Sequence, residues 1–200
     1  MTLYVLLNGP PRSGKSSIAD AILNARSLDA SVAVIGMSFH LKRFVHGIYL
    51  SAEGFRLDPD HFDAVKGEPQ DILDGMSWRQ AYIHYSERVI KPLHGKEWFG
   101  TQLLRAARRA EVDITVVPDS GFREEAEAVV RDAGARDVLL VRLHRPGRGF
   151  EGDSRGYIDL DDLGVESCDV WETEGGLDHA AGWVVHAVGS WHARRKADAA

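Results

Sequence analysis

The sequence has a single cysteine, no long apolar run and no excess of basic residues. Cys168 has no second cysteine with which to form an internal disulfide, which favours a reducing compartment. No segment approaches the roughly 18 to 20 consecutive apolar residues of a membrane span. The first residues also lack the basic segment and the cleavage site of a signal peptide. We therefore expect a cytoplasmic protein without a membrane partner.

The composition is that of an ordinary globular domain. The chain has 200 residues, of which 44% are hydrophobic and 27% charged, with a formal net charge of −6. Such a chain can bury a sizeable core without disulfides or a structural metal. The acidic balance argues against wrapping of nucleic acid over the whole surface, although an acidic protein can carry a local basic face. We expect one domain over residues 1–200.

Short apolar runs alternate with helical patterns along the chain. Strands are predicted at residues 3–7, 31–35, 112–117, 137–143 and 165–172. Helices are predicted at residues 15–25, 39–50, 77–93, 97–110, 123–133 and 177–195, and the tail from residue 194 is expected to fray. Ser77 is the candidate N-cap of the third of these helices. This alternation predicts an α/β fold, with a parallel sheet covered by helices on both faces in three layers.

The clearest motif lies between the first strand and the first helix. Residues 9–16 read Gly-Pro-Pro-Arg-Ser-Gly-Lys-Ser, which fits G-x-x-x-x-G-K-[ST] at every fixed position. Gly9 and Gly14 allow the backbone N–H groups to converge on phosphate oxygens, and Lys15 adds a point charge for the β and γ phosphates. The motif predicts a P-loop NTPase fold that binds ATP, although a plain glycine-rich turn is the alternative.

The predicted nucleotide and metal ligands follow from this loop. Ser16 is expected to bind Mg²⁺ together with a carboxylate from elsewhere, and Lys15 is expected to be catalytic. The predicted ATP-binding residues are Gly9, Pro10, Pro11, Arg12, Ser13, Gly14, Lys15, Ser16 and Ser17.

Asp119 is the candidate for that carboxylate. It follows the strand at residues 112–117, so it is expected at the carboxyl edge of the sheet, where α/β proteins bind ligands. There it would hold Mg²⁺, directly or through water, or orient the acceptor. The alternative is that Asp119 caps the following helix.

Other basic residues are candidates for contacts with phosphate groups. Arg145 is expected to be catalytic within an Arg-rich, lid-like loop near residues 142–156, and a second insertion near residues 52–76 is expected to bind the acceptor. Lys42, Arg79 and Arg123 are the candidate acceptor-binding residues. For all of these, solvated surface charge is the alternative. The histidines form no zinc-like cluster, and Cys168 is expected to be inert.

The absence of an Asn-Lys-x-Asp motif argues against a GTPase and favours a kinase. The match then extends beyond the loop: Val-Val-Pro-Asp at 116–119, Asp-Ala-Gly-Ala at 132–135, Arg-Pro-Gly at 145–147 and Cys-Asp-Val at 168–170. With these motifs, the chain resembles the bacteriophage deoxynucleoside monophosphate kinases. The resemblance implies an adenylate-kinase-like fold, ATP with Mg²⁺ as donor, a deoxynucleotide acceptor and the host cytoplasm as location. It implies that Arg145 acts in the lid, Arg79 on the acceptor side, and Asp119 near metal and acceptor.

The acceptor is the open part of this interpretation, because the family's Gly-Thr-Glu or Gly-Thr-Asp tract is replaced by Tyr-Ser-Glu-Arg at residues 85–88. One alternative is a related phage kinase that phosphorylates 5-hydroxymethyluracil within DNA during thymidine hypermodification. That acceptor would require a basic groove, for which Arg105, Arg108 and Arg109 are candidates. Another alternative is a noncatalytic nucleotide-binding protein.

Overall fold

Strands and helices alternate along the chain in the computed structural model, which describes residues 2–54, 56, 62, 64–171 and 176–198. Within this part the strands are β1 (Leu3–Asn8), β2 (Val32–Val34), β3 (Ile114–Val117), β4 (Val138–His144) and β5 (Glu166–Trp171). The helices are α1 (Lys15–Leu23), α2 (Phe39–Tyr49), α3 (Ser51–Gly54), α4 (Trp78–Tyr85), α5 (Lys91–His94), α6 (Trp98–Ala110), α7 (Arg123–Ala133) and α8 (Gly176–Asp198).

The strands form one parallel sheet in the order β2-β3-β1-β4-β5. Leu6 in the central strand is in register with Val117 of β3 on one side and Leu140 of β4 on the other. All six residues of β1 are buried, which explains why this strand reads as a continuous apolar run. The predicted α/β fold with a parallel sheet is confirmed.

Helices cover the sheet on both faces. Leu3, Val5 and Leu7 of β1 pack in one cluster with residues of α1 and α8, among them Ile22 and Val188. Side chains alternate along a strand, so the buried Tyr4 and Leu6 belong to the opposite face. Burial raises the pKa of Tyr4, and the charges of Asp132 on α7 and Arg108 on α6 also act on it. Helix α7 contacts β1 and β4, and Gly100 of α6 packs against the backbone of Glu125 in α7. The layers are therefore helix, sheet and helix.

The chain divides into two compact units, residues 1–37 with 100–200 and residues 38–99. The sheet lies in the first unit. The second unit has an aromatic core in which the buried rings of His46 and Trp78 pack at 4.8 Å between centroids. Ser77 caps α4 through a reciprocal pair of hydrogen bonds with Gln80, as predicted for an N-cap residue. The insertion predicted near residues 52–76 belongs to this unit, and residues 55, 57–61 and 63 lie outside the described part.

Two helix predictions need correction. The helix predicted over residues 77–93 is interrupted by a π-helical turn at Ser86–Ile90, close to Pro92, whose missing N–H leaves the Arg88 carbonyl without an α-helical partner. The tail does not fray at residue 194, because α8 continues to Asp198. Arg195 holds it there by hydrogen bonds to Asp137, 3.0 Å, and Asp198, 2.9 Å. Over the described residues, no helix is long and apolar enough to cross a membrane.

Candidate functional site

The carboxyl ends of the strands form the candidate site of the first unit. Strands β1 and β4 are neighbours within the sheet. The chain that follows β1 runs to β2 on one side of this pair, and the chain that follows β4 runs to β5 on the other side. Adjacent strands that lead in opposite directions open a crevice at their carboxyl ends, where ligands bind in open α/β sheets. The glycine-rich loop begins at this edge after β1, and Asp119 lies at the same edge after β3.

The two fixed glycines of the loop are required by its geometry. A Cβ atom at Gly9 would lie 2.7 Å from Ser13 Oγ and 2.8 Å from the Leu143 carbonyl oxygen, so only glycine allows β1 to end this close to β4. Gly14 has φ of +92°, and a Cβ there would clash with the Leu177 side chain. Arg12 also adopts a left-handed conformation, with φ of 62°. This backbone turns N–H groups inward, as in anion-binding nests.

Lys15 opens α1 and folds back over the loop. Its Nζ atom donates hydrogen bonds to the carbonyl oxygens of Gly9 and Pro10, both at 2.7 Å, and to Ser13 Oγ at 3.3 Å. The ammonium group is thus held above the loop that the sequence predicts to bind phosphate. Ser16 and Ser17 follow in the first turn and are exposed, and the N–H groups of this turn have no acceptor within the helix.

Asp119 is half-buried two residues after β3. Its Oδ1 atom accepts a hydrogen bond from the backbone N–H of Met37 at 2.7 Å, which joins the ends of β2 and β3. The N-cap residue of α7 is Phe122, so Asp119 lies three residues too early to be the cap. The structure therefore does not support the helix-capping alternative.

Asn8 is a site residue that the sequence analysis missed. This buried side chain at the end of β1 donates from Nδ2 to the carbonyl oxygens of Ser120, 2.9 Å, and Gly156, 3.0 Å. Its Oδ1 atom accepts from the N–H of Ile158 at 3.0 Å. One amide group therefore fixes the segments that follow β3 and β4 to the central strand. The signal in the sequence was a polar residue ending an apolar run directly before Gly9.

The Arg-rich segment divides into residues with different partners. Arg145 lies in the loop after β4 and donates from Nη1 to the carbonyl oxygen of Arg12 at 3.1 Å, so this loop contacts the glycine-rich loop. Arg148 is exposed in the same loop. Arg142 lies within β4 and binds Asp169 of β5 at 2.9 Å. The expectation that a loop begins at residue 142 is thus wrong, because the strand continues to His144.

Aromatic rings stack at the ends of β4 and β5. The His144 ring lies between Trp171, with centroids 4.1 Å apart, and Tyr157, 4.5 Å apart. His144 Nε2 is 2.5 Å from Asp169 Oδ1; Arg142 first and then His144 lower the pKa of Asp169 by hydrogen bonding. The Tyr157 hydroxyl donates to the Leu143 carbonyl, the same oxygen that closely approaches Gly9. Trp171 is 63% exposed, so this stack presents an aromatic surface near the loop.

The three candidate acceptor-binding residues have different settings. Lys42 on α2 and Arg79 in the first turn of α4 both belong to the second unit. Arg123 belongs to the first unit and donates to Asp162 and Glu127, at 2.6 and 2.7 Å, and to the Asp159 carbonyl. These carboxylates raise the pKa of Arg123. Its donors are therefore used to join α7 to the segment before β5, an arrangement that favours a bracing role.

The two residues expected to bind Mg²⁺ both carry side-chain oxygen atoms. Mg²⁺ prefers oxygen ligands and keeps several waters; Ser16 offers an exposed hydroxyl and Asp119 a half-buried carboxylate. Ser120 Oγ, next to Asp119, is buried and has no hydrogen-bond partner in the described part of the chain, which suits contact with a metal-bound water. The residues fit this ion.

Other metal and thiol chemistry has little support. Among the described residues, no group of three His, Cys, Asp or Glu side chains could hold a metal ion. Burial is the main cause that raises the pKa of Cys168 to about 11, so its thiol is protonated at neutral pH and a poor nucleophile.

The comparisons with known proteins assign no family. No protein-family model matches the chain, and no curated protein is significantly similar to it. Among solved structures, the chain is similar to an unliganded sugar kinase from Janibacter sp. HTCC2649, with 14% sequence identity and a TM-score of 0.41, over 96% of this chain and 94% of that chain. A similarity of this size carries no argument about function, which must come from the site.

Proposed function

We propose that the protein is a P-loop kinase that transfers a phosphoryl group from ATP to a deoxynucleoside monophosphate. The observation that carries this proposal is the glycine-rich loop at the carboxyl end of the central strand, with Lys15 held over it at 2.7 Å from two loop carbonyls. Asp119 follows the neighbouring strand β3 at the same edge of the sheet. Phosphoryl transfer needs mainly positioning and charge neutralisation, which these groups can supply.

Each group has a distinct role in this proposal. The N–H groups around Gly14 bind the phosphates, and Lys15 exchanges its loop carbonyls for phosphate oxygens. Ser16 and Asp119 would hold Mg²⁺, which would neutralise phosphate charge. Asp119 also orients the acceptor, because its carboxylate is fixed by the Met37 N–H. Arg145 closes the lid-like loop over the donor from its position against Arg12.

The choice of acceptor rests on the resemblance to the phage deoxynucleoside monophosphate kinases and on charge. The alternative, 5-hydroxymethyluracil in DNA, would use a basic groove that includes Arg108, but the guanidinium of Arg108 is paired with Asp132 at 2.5 Å. The decisive experiment is a transfer assay with labelled ATP against all mononucleotides and against duplex DNA with ordinary or hydroxymethylated pyrimidines. Label in modified DNA and in no free nucleotide would favour the DNA kinase; nucleotide binding without any transfer would favour the noncatalytic alternative.

Arg79→Ala tests the acceptor side of the proposal. We expect the KM for the deoxynucleotide to rise at least about thirtyfold, with the KM for ATP nearly unchanged, because loss of a charged hydrogen bond costs about 2 to 5 kcal/mol. Steady-state kinetics with each substrate varied in turn provide the measurement. Arg88→Ala, an exposed arginine of the same unit, is the matched control.

The same assay separates the two acceptors by salt. A free nucleotide predicts a shallow salt dependence, whereas a DNA acceptor predicts a steep one through counterion release. Equal acceptor KM values for Arg79→Ala and wild type, with activity lost on charge reversal at Arg105, Arg108 and Arg109, would contradict the nucleotide acceptor.

Trp171→Ala tests where the donor base binds. We propose that adenine stacks on the exposed Trp171 ring, because base stacking on an aromatic side chain contributes about 1 to 3 kcal/mol. The affinity for ATP is therefore expected to fall about 5- to 150-fold, and the affinity for inorganic tripolyphosphate is expected to stay unchanged; calorimetry measures both. Trp183→Ala, another exposed tryptophan of the same unit, is the control. Equal losses for both ligands would contradict base stacking.

A further inference from the structure

Arg155 lies beside the end of β3, in a place that Gly121 makes available. A Cβ atom at Gly121 would lie 2.7 Å from Arg155 Cγ and would clash with its Cδ atom. The arginine stem therefore packs directly on the backbone two residues after Asp119. Only glycine at position 121 leaves room for this packing, so the approach is specified by the sequence.

The loop that carries Arg155 is fixed to the same edge of the sheet. The next residue, Gly156, accepts a hydrogen bond from the buried Asn8 side chain, which also binds the carbonyl of Ser120. Asn8 thus ties the backbone after Arg155 and the backbone after Asp119 to the end of β1. Since Gly9 follows Asn8, the guanidinium is carried by a segment anchored next to the glycine-rich loop.

Asp153 holds the guanidinium in one orientation. Arg155 donates from Nε and Nη2 to the two carboxylate oxygens of Asp153, at 2.8 and 2.6 Å. The side chains of Arg155 and Asp153 are only 24% and 10% exposed. Within the described part of the chain, Nη1 makes no hydrogen bond. A positioned guanidinium with an unused nitrogen is suited to binding a further oxyanion.

Carboxylates near the end of β3 and in the loop of Arg155 act on the pKa of Arg155. The hydrogen bonds that Arg155 donates to Asp153 are the main cause that raises the pKa of Arg155, and the charges of Asp119 and Glu125 act in the same direction. Arg155 therefore stays protonated and lies within electrostatic reach of the carboxylate expected to orient the acceptor.

We propose that Arg155 is a further catalytic residue of this site and that Asp153 is its positioning residue, an inference that rests on the proposed function. The Nη1 group donates to an oxygen of the transferring phosphoryl group. An acceptor phosphate oxygen supplies the electron pair of the new P–O bond, and the bridging oxygen of ATP leaves with the electron pair of the broken bond as ADP. Arg155 keeps its proton throughout and stabilises the charge of the transition state.

Arg155→Ala is expected to lower kcat at least about a hundredfold with less than about a threefold change in ATP affinity, because a group that acts in the transition state affects kcat more than binding. Asp153→Asn is expected to lower kcat by about tenfold through looser positioning. Added guanidinium ion, at concentrations well below those that unfold the protein, is expected to raise the kcat of Arg155→Ala at least about tenfold. It should restore none to Asp119→Asn.

Arg194→Ala is the matched control, because it also breaks an arginine–carboxylate pair, with Glu166, but near the start of β5. Thermal unfolding of each variant separates loss of folding from loss of catalysis, and Arg155→Lys provides a second variant if alanine prevents folding. Wild-type kcat in Arg155→Ala or Arg155→Lys would overturn the inference and leave the proposed function intact. The same conclusion would follow if kcat fell only in proportion to the unfolding temperature and guanidinium ion did not restore it. No transfer by the wild-type protein would overturn both.

Discussion

Lys15→Ala is expected to reduce phosphoryl transfer at least about a thousandfold, because it removes a positive charge that stabilises the transferring group. The structure shows what else the substitution removes, namely the hydrogen bonds from Nζ to the carbonyl oxygens of Gly9 and Pro10. Since hydrogen bonds from charged groups contribute about 1.5 to 3 kcal/mol, we expect a measurable loss of stability but a folded protein at room temperature.

Labelled ATP in the transfer assay measures the activity of this variant, and far-UV circular dichroism with urea unfolding measures its folding. Lys196→Ala is the control, because Lys196 is an exposed lysine of the same unit that pairs with Asp29 at 3.3 Å. We expect the control to transfer phosphate at the wild-type rate. Wild-type turnover by Lys15→Ala would remove this lysine from the mechanism and leave the glycine-rich loop without its proposed function.

Asp119→Asn is expected to lower kcat at least about a hundredfold with a smaller effect on ATP affinity, since the carboxylate acts on metal and acceptor during transfer. Asparagine retains an oxygen that can accept the Met37 N–H bond, 2.7 Å long in the structure. The substitution therefore removes charge and keeps the link between the ends of β2 and β3. The loss is expected to depend on the Mg²⁺ concentration if the carboxylate holds the ion.

The chain offers a close control for this variant at the other end of the same strand. Asp113 precedes β3, and its Oδ2 atom accepts a backbone hydrogen bond from Ser31 at 2.8 Å. Asp113→Asn makes the same chemical change to a carboxylate that also accepts an N–H bond, but at the amino edge of the sheet. Steady-state kinetics at several Mg²⁺ concentrations should leave the control unchanged; equal kcat values for both variants would refute the assigned role of Asp119.

Local features of the sequence predicted the parts of the fold that depend on neighbouring residues. The helix predicted at residues 123–133 has the same bounds in the structure, and Ser77 caps α4 as predicted. Both signals act over one helical turn. The lid-like loop expected to begin near residue 142 begins later, because pairing with β5 extends β4 to His144, and strand pairing is decided by a distant segment.

The roles predicted for single charged residues depended on partners that the sequence does not reveal. Arg123, a candidate acceptor-binding residue, donates to Asp162, which is 39 positions away in the chain. The sequence gives no signal for Arg155, because its proposed role depends on its packing against Gly121 and on its paired hydrogen bonds to Asp153. A charged side chain in a loop has no periodicity or cap signal, so its neighbours must be seen.

The sequence by itself determined the alternation of strands and helices, the glycine-rich loop before Lys15 and the place of Asp119 directly after a buried strand. These follow from apolar periodicity and from backbone conformations that only glycine adopts easily. The tertiary structure alone decided the strand order and the links made by Asn8, whose hydrogen bonds reach residues 112 and 148 positions away. Contacts at such separations arise only when the sheet brings its carboxyl ends together, because short-range propensity contains no information about which distant segments will meet.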